Sequence, residues 1–285
     1  MENNSTRGNS FNTDALIDIG VNLTNKRFDK DREDVIRRAK NANLSQILIT
    51  GTSVSESQNA LSLCQQYQQT FPDYLYCTAG VHPHDADHVT ADYLAQLKQL
   101  ASHSHVKAIG ECGLDFNRNF SAPVQQQKVF REQVALAAEL HMPLFLHQRD
   151  AFTPWFEILS PYLDKVPAMV AHCFTGSKAE LTQCLASDMY IGITGWLCDE
   201  RRGQELRDIV SLIPLNRLLI ETDAPYLTPR TIRPKPKSSR NEPSYLSFVV
   251  NEIASITGLD PKEIACQTSQ NAQTVFNFST AKESF

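Results

Sequence analysis

The sequence contains no long hydrophobic run. No stretch approaches the roughly 18 apolar residues of a membrane-spanning helix, which argues against a membrane protein. Residues 1–13 are polar and have no apolar core of the kind that secretory signals carry. We therefore predict a flexible extension over residues 1–13, a cytoplasmic location and no membrane partner.

The sequence also lacks paired cysteines and an excess of positive charge. Its seven cysteines include no C-x-x-C pair and lie mostly in apolar stretches, which is typical of reduced thiols rather than a disulfide framework. The net charge is −5 and the isoelectric point about 5.9, so no global positive field would hold nucleic acid nonspecifically. Any contact with a polyanion must be local.

What the chain does contain is a series of short apolar runs that alternate with helical segments. The runs lie 22 to 36 residues apart and end near residues 22, 50, 82, 111, 147, 172, 194 and 223. Apolar strands that alternate with helices indicate a parallel sheet covered on both faces. Eight such units predict an α/β fold, a (β/α)8 or TIM barrel, as one domain over residues 14–280. Two extra C-terminal helices are predicted at about 243–257 and 261–277.

Polar side chains stand where several of these runs end. Active sites of such barrels lie at the carboxyl ends of the strands. A lone histidine there is more often a hydrogen-bonded structural residue. Two histidines, one glutamate and one aspartate at a single mouth, however, would be hard to satisfy without a cation. Imidazole and carboxylate together suit Zn²⁺, Mn²⁺ or Mg²⁺. The sequence therefore predicts a divalent metal site formed by Glu111, His147, His172 and Asp223.

Two further features suggest contacts with a substrate. His82 closes the third run and His84 begins the next loop, a His-x-His spacing that suits either a metal or a phosphate. After the eighth run, five cations occur within eleven residues among prolines, namely Arg230, Arg233, Lys235, Lys237 and Arg240. Composition alone favours a solvated loop, but its position on the catalytic face of an acidic protein favours anion binding. Arg149 and Arg201-Arg202 would lie on the same rim.

Several of these stretches resemble one protein family, the TatD-type metal-dependent deoxyribonucleases of the amidohydrolase-like barrels. The resemblance covers about residues 15–278, and the stretch 192–203 is similar to the exonuclease after which the family is named. The matching motifs occupy residues 79–84, 108–116, 143–147, 171–176 and 219–227.

The resemblance implies a function and assigns roles. It implies a metal-dependent exonuclease that removes nucleotides from the 3′ ends of single-stranded DNA and RNA, in DNA repair or nucleic-acid turnover. It places the metal on Glu111, His147 and His172, makes Asp223 catalytic, and assigns His82 to the substrate phosphate. His84, Arg149 and Arg233 are our further candidates for substrate binding, and we expect a monomer.

The chain departs from the family at the first strand. Most members have His-x-His where this chain has Gly20-Val21-Asn22. Fewer nitrogen ligands favour Mg²⁺, or Mn²⁺, over Zn²⁺, and restored histidines at positions 20 and 22 should raise Zn²⁺ affinity if the backbone at Gly20 allows it. The alternative function is an amidohydrolase or lactonase acting on a small molecule, because a fold does not fix a substrate. A noncatalytic partner of protein export or repair is a third possibility, against which the complete strand-end set argues.

Overall fold

The computed structural model describes residues 15–278. The extension predicted over residues 1–13, and the first and last residues of the predicted domain, lie outside this range. Eight strands alternate with helices along the chain. They are β1 (Leu16–Val21), β2 (Leu44–Ile49), β3 (Leu75–Ala79), β4 (Val106–Asp115), β5 (Leu144–Arg149), β6 (Met169–Ala171), β7 (Tyr190–Ile193) and β8 (Leu218–Ile220).

One helix follows each of the eight strands, and one more ends the described chain. A capping box formed by Ser177 and Glu180 begins the sixth helix. In chain order they are α1 (Arg32–Asn41), α2 (Val54–Tyr67), α3 (Tyr93–Ala101), α4 (Pro123–Leu140), α5 (Phe152–Leu159), α6 (Lys178–Ala186), α7 (Gln204–Ile209), α8 (Leu246–Thr257) and α9 (Pro261–Phe276). Within residues 15–278, none of these helices combines the length and the apolar character needed to cross a membrane.

The strands form one parallel sheet whose order follows the chain from β1 to β8. The ring closes just beyond β8, where Val21 forms a parallel bridge with Ala224. The peptide N–H of Asn22 donates to the Ala224 carbonyl (2.8 Å), and that of Asp223 donates to the Gly20 carbonyl (2.9 Å). The predicted (β/α)8 barrel is confirmed. Its closure brings the ends of the first and last strands together.

The hydrophobic core has two layers. The larger one lies between the strands and the surrounding helices. The smaller one fills the barrel with inward-facing side chains such as Ile19, Leu48 and Phe145, and the end of α9 packs against them through Val275 and Phe276. Helix α8 occupies the eighth helix position of the barrel, while α9 closes the amino-terminal end. The opposite end is left for the polar strand ends.

Strand β4 is longer than its apolar pattern predicts. The predicted strand ends at Glu111, but pairing with β5 continues until Asp115 lies opposite Arg149, with an irregularity between Gly110 and Cys112. Cys112 is buried in the outer core layer. The extension carries Asp115 to the same end of the barrel as Glu111.

Removing the Phe276 ring, which packs at the amino-terminal end of the barrel, should destabilise the protein. Phe276 is buried and packs against Phe145 and Phe278, with ring centroids 6.5 and 5.5 Å apart. Truncating such a ring leaves a cavity, so Phe276→Ala should lower the free energy of unfolding by about 3–5 kcal/mol in urea titrations. Leu259→Ala, at a half-exposed position, is the control and should change it by about 0.5 kcal/mol or less. A loss below about 1 kcal/mol for Phe276→Ala would contradict the role of α9 as core.

Candidate active site

A cleft of about 1040 Å³ opens at the carboxyl end of the barrel. It is where the strand ends converge, because parallel strands that close into a ring all end at one mouth. All six strand-end side chains named from the sequence line it, namely Asn22, His82, Glu111, His147, His172 and Asp223.

Glu111 lies at the centre of these groups. Its Oε1 atom is 2.9 Å from His172 Nε2, 3.0 Å from His147 Nδ1 and 3.4 Å from His82 Nε2. Burial alone raises the pKa of this carboxyl, but electrostatic interaction with the imidazoles of His172 and His82 and hydrogen bonds from His147 and His172 hold it well below its usual value. One buried carboxylate oxygen is thus shared by three imidazoles.

Two of these imidazoles lie between Glu111 and a second carboxylate. His172 Nδ1 is 3.0 Å from Glu221 Oε2, on the side of the ring opposite to Glu111. His147 Nε2 faces Asp115 Oδ2 at 3.5 Å. Burial lowers the pKa of both imidazoles, but the carboxylates outweigh it and leave both pKa values raised. Histidines that bind metals usually have an outer carboxylate of this kind, which fixes the ring and its tautomer.

Asp115 also holds the neighbouring loop. Its Oδ2 atom is 2.7 Å from His84 Nε2, and its Oδ1 atom accepts hydrogen bonds from the peptide N–H groups of Asn117 and Arg118 at 3.0 and 2.9 Å. The sequence interpretation gave Asp115 no role. Residues 111 and 115 share a face only when β4 continues past Glu111, and the apolar pattern does not indicate that continuation.

Glu221 is the other functional side chain that the sequence interpretation missed. It is fully buried and directly precedes Thr222 and Asp223. Gly20 and Gly192 flank it closely, because a Cβ atom at these positions would lie 2.2 and 2.5 Å from its carboxylate oxygens. Glu221 therefore occupies the space beside β1 where a histidine side chain at position 20 would begin.

Asp223 lies across the mouth from Asp115. The Nδ2 atom of Asn22 donates to Asp223 Oδ1 at 2.8 Å. Burial raises the pKa of Asp223 to about 7, and the negative charges of Glu111 and Glu221 add to this against His172 and the Asn22 hydrogen bond. A carboxyl with a pKa near neutrality can accept a proton under ordinary conditions.

His82 differs from the other two imidazoles. Burial lowers its pKa to about 3, so its ring is neutral. His82, Glu111 and His147 offer ligand atoms that lie within 4.8 Å of one another, a spacing that a cation could use. However, His82 Nδ1 accepts a hydrogen bond from the peptide N–H of His84 at 3.1 Å, which leaves the ring proton on Nε2. That arrangement favours donation to a phosphate oxygen over metal ligation.

The donor set fits a divalent cation. His147 Nδ1 and His172 Nε2 both face Glu111 Oε1, at 3.0 and 2.9 Å. Glu111 with the inner nitrogens of His147 and His172 supplies one carboxylate and two imidazoles, a combination that suits divalent metal ions.

The sequence pattern of one family, described as TatD related DNase, matches residues 17–277. The chain belongs to the TatD related DNase family. The family predicted from the motifs is confirmed.

Named relatives of this TatD-family chain span its length. A protein of Erwinia tasmaniensis named 3′-5′ ssDNA/RNA exonuclease TatD is 55% identical over 262 residues, which cover 92% of this chain and 100% of the relative. A protein of the same name from Shigella flexneri is 51% identical over 261 residues, with 92% and 98% covered.

Solved structures agree on the fold. A TatD-family hydrolase from Entamoeba histolytica superposes with a TM-score of 0.85 at 28% identity, covering 93% of this chain and 99% of that one. A lactonase from Listeria monocytogenes, at 13% identity and a TM-score of 0.63, covers 94% and 96% and shares the fold alone.

The predicted substrate-binding residues of the TatD-family chain divide into two groups. His84 and Arg149 line the cleft, together with Lys26, Arg118 and Arg202. Arg233 is exposed to solvent and does not line the cleft. Its guanidinium donates to backbone carbonyls of its own loop.

Other cations of the same loop are neutralised. Arg240 forms ion pairs with Asp31 and Glu242 at 2.6 and 2.8 Å. Arg230 lies 3.6 Å from both Asp199 and Glu200. The loop therefore offers fewer free charges than its composition indicates.

The position of Glu221 reverses our expectation for histidine at position 20. A side chain there would push the carboxylate away from His172, so Gly20→His should fail to raise Zn²⁺ affinity in calorimetric titrations. Gly20→Ala should lower the free energy of unfolding by about 1–3 kcal/mol, as overpacking does. The matched comparison is Gly20→Ala made in a Glu221→Ala protein, where it should have little effect because the carboxylate is absent. Equal losses in both backgrounds, or a gain in Zn²⁺ affinity, would contradict this geometry.

Proposed function

We propose that this protein is a metal-dependent 3′-5′ exonuclease that hydrolyses phosphodiester bonds of single-stranded DNA and RNA. The observation that carries the proposal is the cluster of Glu111, His147 and His172 within a cleft rimmed by cations. Relatives named as such exonucleases, at 51 and 55% identity over most of the chain, support the substrate and the polarity. A cytoplasmic location, a monomeric state and a role in DNA repair or nucleic-acid turnover stay predictions.

The ion in our proposal is Mg²⁺, with Mn²⁺ or Zn²⁺ as alternatives. Glu111, His147 and His172 would hold it, with Asp223 as a further oxygen ligand. Supporting this choice, Glu221 takes the space of an additional histidine, and hard oxygen-binding ions prefer sites that are rich in carboxylate and water. A bound divalent ion supplies neutralisation of phosphate charge and an acidified water molecule.

The protein's own side chains then have separate tasks. Asp223 accepts the proton of the attacking water, and the hydrogen bond from Asn22 Nδ2 to its Oδ1 atom orients the carboxylate. His82 donates from Nε2 to an oxygen of the scissile phosphate, and the peptide N–H of His84 fixes the ring for this purpose. Arg149 and Arg118 bind flanking phosphates by charge-assisted hydrogen bonds.

The direct test is a time course on single-stranded oligonucleotides labelled at the 3′ or the 5′ end. The 3′ label should be released first, EDTA should stop the reaction, and added Mg²⁺ or Mn²⁺ should restore it. Turnover of a lactone or amide panel without oligonucleotide cleavage would instead identify a small-molecule hydrolase.

Loss of the central carboxylate should abolish the reaction without unfolding the protein. Glu111→Ala should remove detectable cleavage and weaken Mn²⁺ binding in calorimetric titrations, while the far-ultraviolet circular dichroism stays unchanged. Glu56→Ala is the matched control, because Glu56 lines the same cleft but accepts a hydrogen bond from Asn59. Near-normal cleavage by Glu111→Ala with metal still bound would refute the site.

The cations that line the cleft should determine the salt dependence of binding. Arg118→Gln combined with Arg149→Gln should raise KM with little change in kcat, the pattern of lost uniform binding. The logarithmic salt dependence of the affinity should flatten by about 0.7 for each lost phosphate contact with a single strand.

Neutralising Arg233, Lys235 and Lys237 together tests the loop separately. These side chains are exposed, and a flatter salt dependence would support our prediction that the loop binds the strand. An unchanged slope in this triple variant, with a flatter one in the cleft variant, would limit phosphate binding to the cleft. Unchanged slopes in both variants would refute the proposed phosphate contacts.

A further inference from the structure

Exposed aromatic rings are concentrated in the cleft. Among residues 15–278, two aromatic side chains are markedly exposed, Phe120 at 63% and Tyr226 at 49%, and both line the cleft. The exposed large aliphatic side chains, Val124, Leu212 and Leu259, are not part of its lining. An exposed phenylalanine forgoes about 1.5–3 kcal/mol of burial. The exposed ring of Phe120 is available to a ligand in the cleft.

Phe120 ends a row of aromatic rings that leads to the active site. Its ring is perpendicular to that of His84, with centroids 4.7 Å apart. The His84 ring contacts that of His82 at 4.3 Å, and His82 contacts His147 at 4.4 Å. The exposed ring is thus separated by the His84 ring alone from His82, the histidine that we assign to the scissile phosphate.

The loop around Phe120 is held in place. Ser121 Oγ donates to the His84 carbonyl at 2.9 Å, and the peptide N–H of Asp87 donates to Ser121 Oγ at 3.0 Å. The guanidinium carbon of Arg118 lies 6.0 Å from the centroid of the Phe120 ring. A ring on a fixed loop loses little conformational entropy when a ligand binds. A flat apolar face and a cation therefore lie side by side, as a base and its phosphate require.

We infer that the Phe120 ring stacks on the base of a nucleotide next to the scissile bond. This inference rests on the proposed exonuclease function and adds a base-binding position to it. Stacking on an aromatic ring is sequence-tolerant, because every base has a π-face. It also requires an unpaired base, since a base within a duplex is already stacked on both sides. Phe120 is accordingly a substrate-binding residue that favours single strands.

The test compares substitutions that keep or remove the aromatic face. Phe120→Ala should lower kcat/KM on a single-stranded oligonucleotide by roughly 5- to 150-fold, the range that corresponds to loss of one base–aromatic stack. Phe120→Leu keeps apolar contact with His84 but has no ring, so it should lose nearly as much. Phe120→Trp should retain activity within about 3-fold. Val124→Ala, four residues away and outside the cleft, is the control and should match the unsubstituted protein.

Abasic oligonucleotides separate stacking from other defects. An abasic site in one of the two nucleotides flanking the scissile bond should slow the unsubstituted protein and abolish its advantage over Phe120→Ala. If Phe120→Ala remains equally impaired on both abasic substrates, or if Phe120→Leu is fully active, the base does not stack on this ring. An inactive unsubstituted protein would refute the exonuclease function itself, whereas an active one with a fully active Phe120→Ala would refute only this inference. Unchanged melting temperatures confirm that the variants are folded.

Discussion

The buried carboxylate of Glu111 is the constraint on which the site depends. An unpaired carboxylate in this position would be strongly destabilising. The barrel compensates by directing three imidazoles from three other strand ends to a single oxygen atom. Two of the imidazoles also face an outer carboxylate, His147 that of Asp115 and His172 that of Glu221. The result is a row of alternating acids and bases across the mouth, whose geometry follows from the closure of the sheet.

This arrangement links the stability of the barrel to its chemistry. The ring of strands closes through Asn22 and Asp223, which are also hydrogen-bonded through their side chains. Glu221 lies immediately before this closure, between two positions where only glycine leaves it room. The first strand thus leaves space for the outer carboxylate of Glu221 where a side chain at position 20 would begin. We therefore expect one well-formed cation site on the Glu111 side of the cleft.

The order of the elements and the convergence of the strand ends could be predicted from the sequence, because both follow from short-range patterns. Apolar runs separated by helices specify a parallel barrel, and a barrel places Glu111, His147 and His172 at one mouth. Asp115 could not be placed, since the apolar pattern does not show how far β4 continues beyond its irregularity. Glu221 was overlooked because the strand ends at Ile220, and only the folded backbone shows which following carboxylate turns inward.

Charge in the loop after β8 could not be interpreted from composition for a related reason. Arg240 belongs to that basic stretch, yet its partner Asp31 lies 209 residues earlier in the chain. An ion pair of such sequence separation leaves no local signal. In contrast, Arg118 occurs in an unremarkable stretch but lines the cleft because β4 ends beside it.

Anomalous diffraction from crystals soaked in Mn²⁺ is the most direct test that Glu111, His147 and His172 form one cation site. We predict one strong peak in the cleft, bonded to the Glu111 carboxylate, His147 Nδ1 and His172 Nε2 with Asp223 as a further oxygen ligand. Asp115 and Glu221 should remain on the outer sides of the two rings. A peak bonded elsewhere, two strong peaks of equal height in the absence of substrate, or none at saturating Mn²⁺ would contradict it.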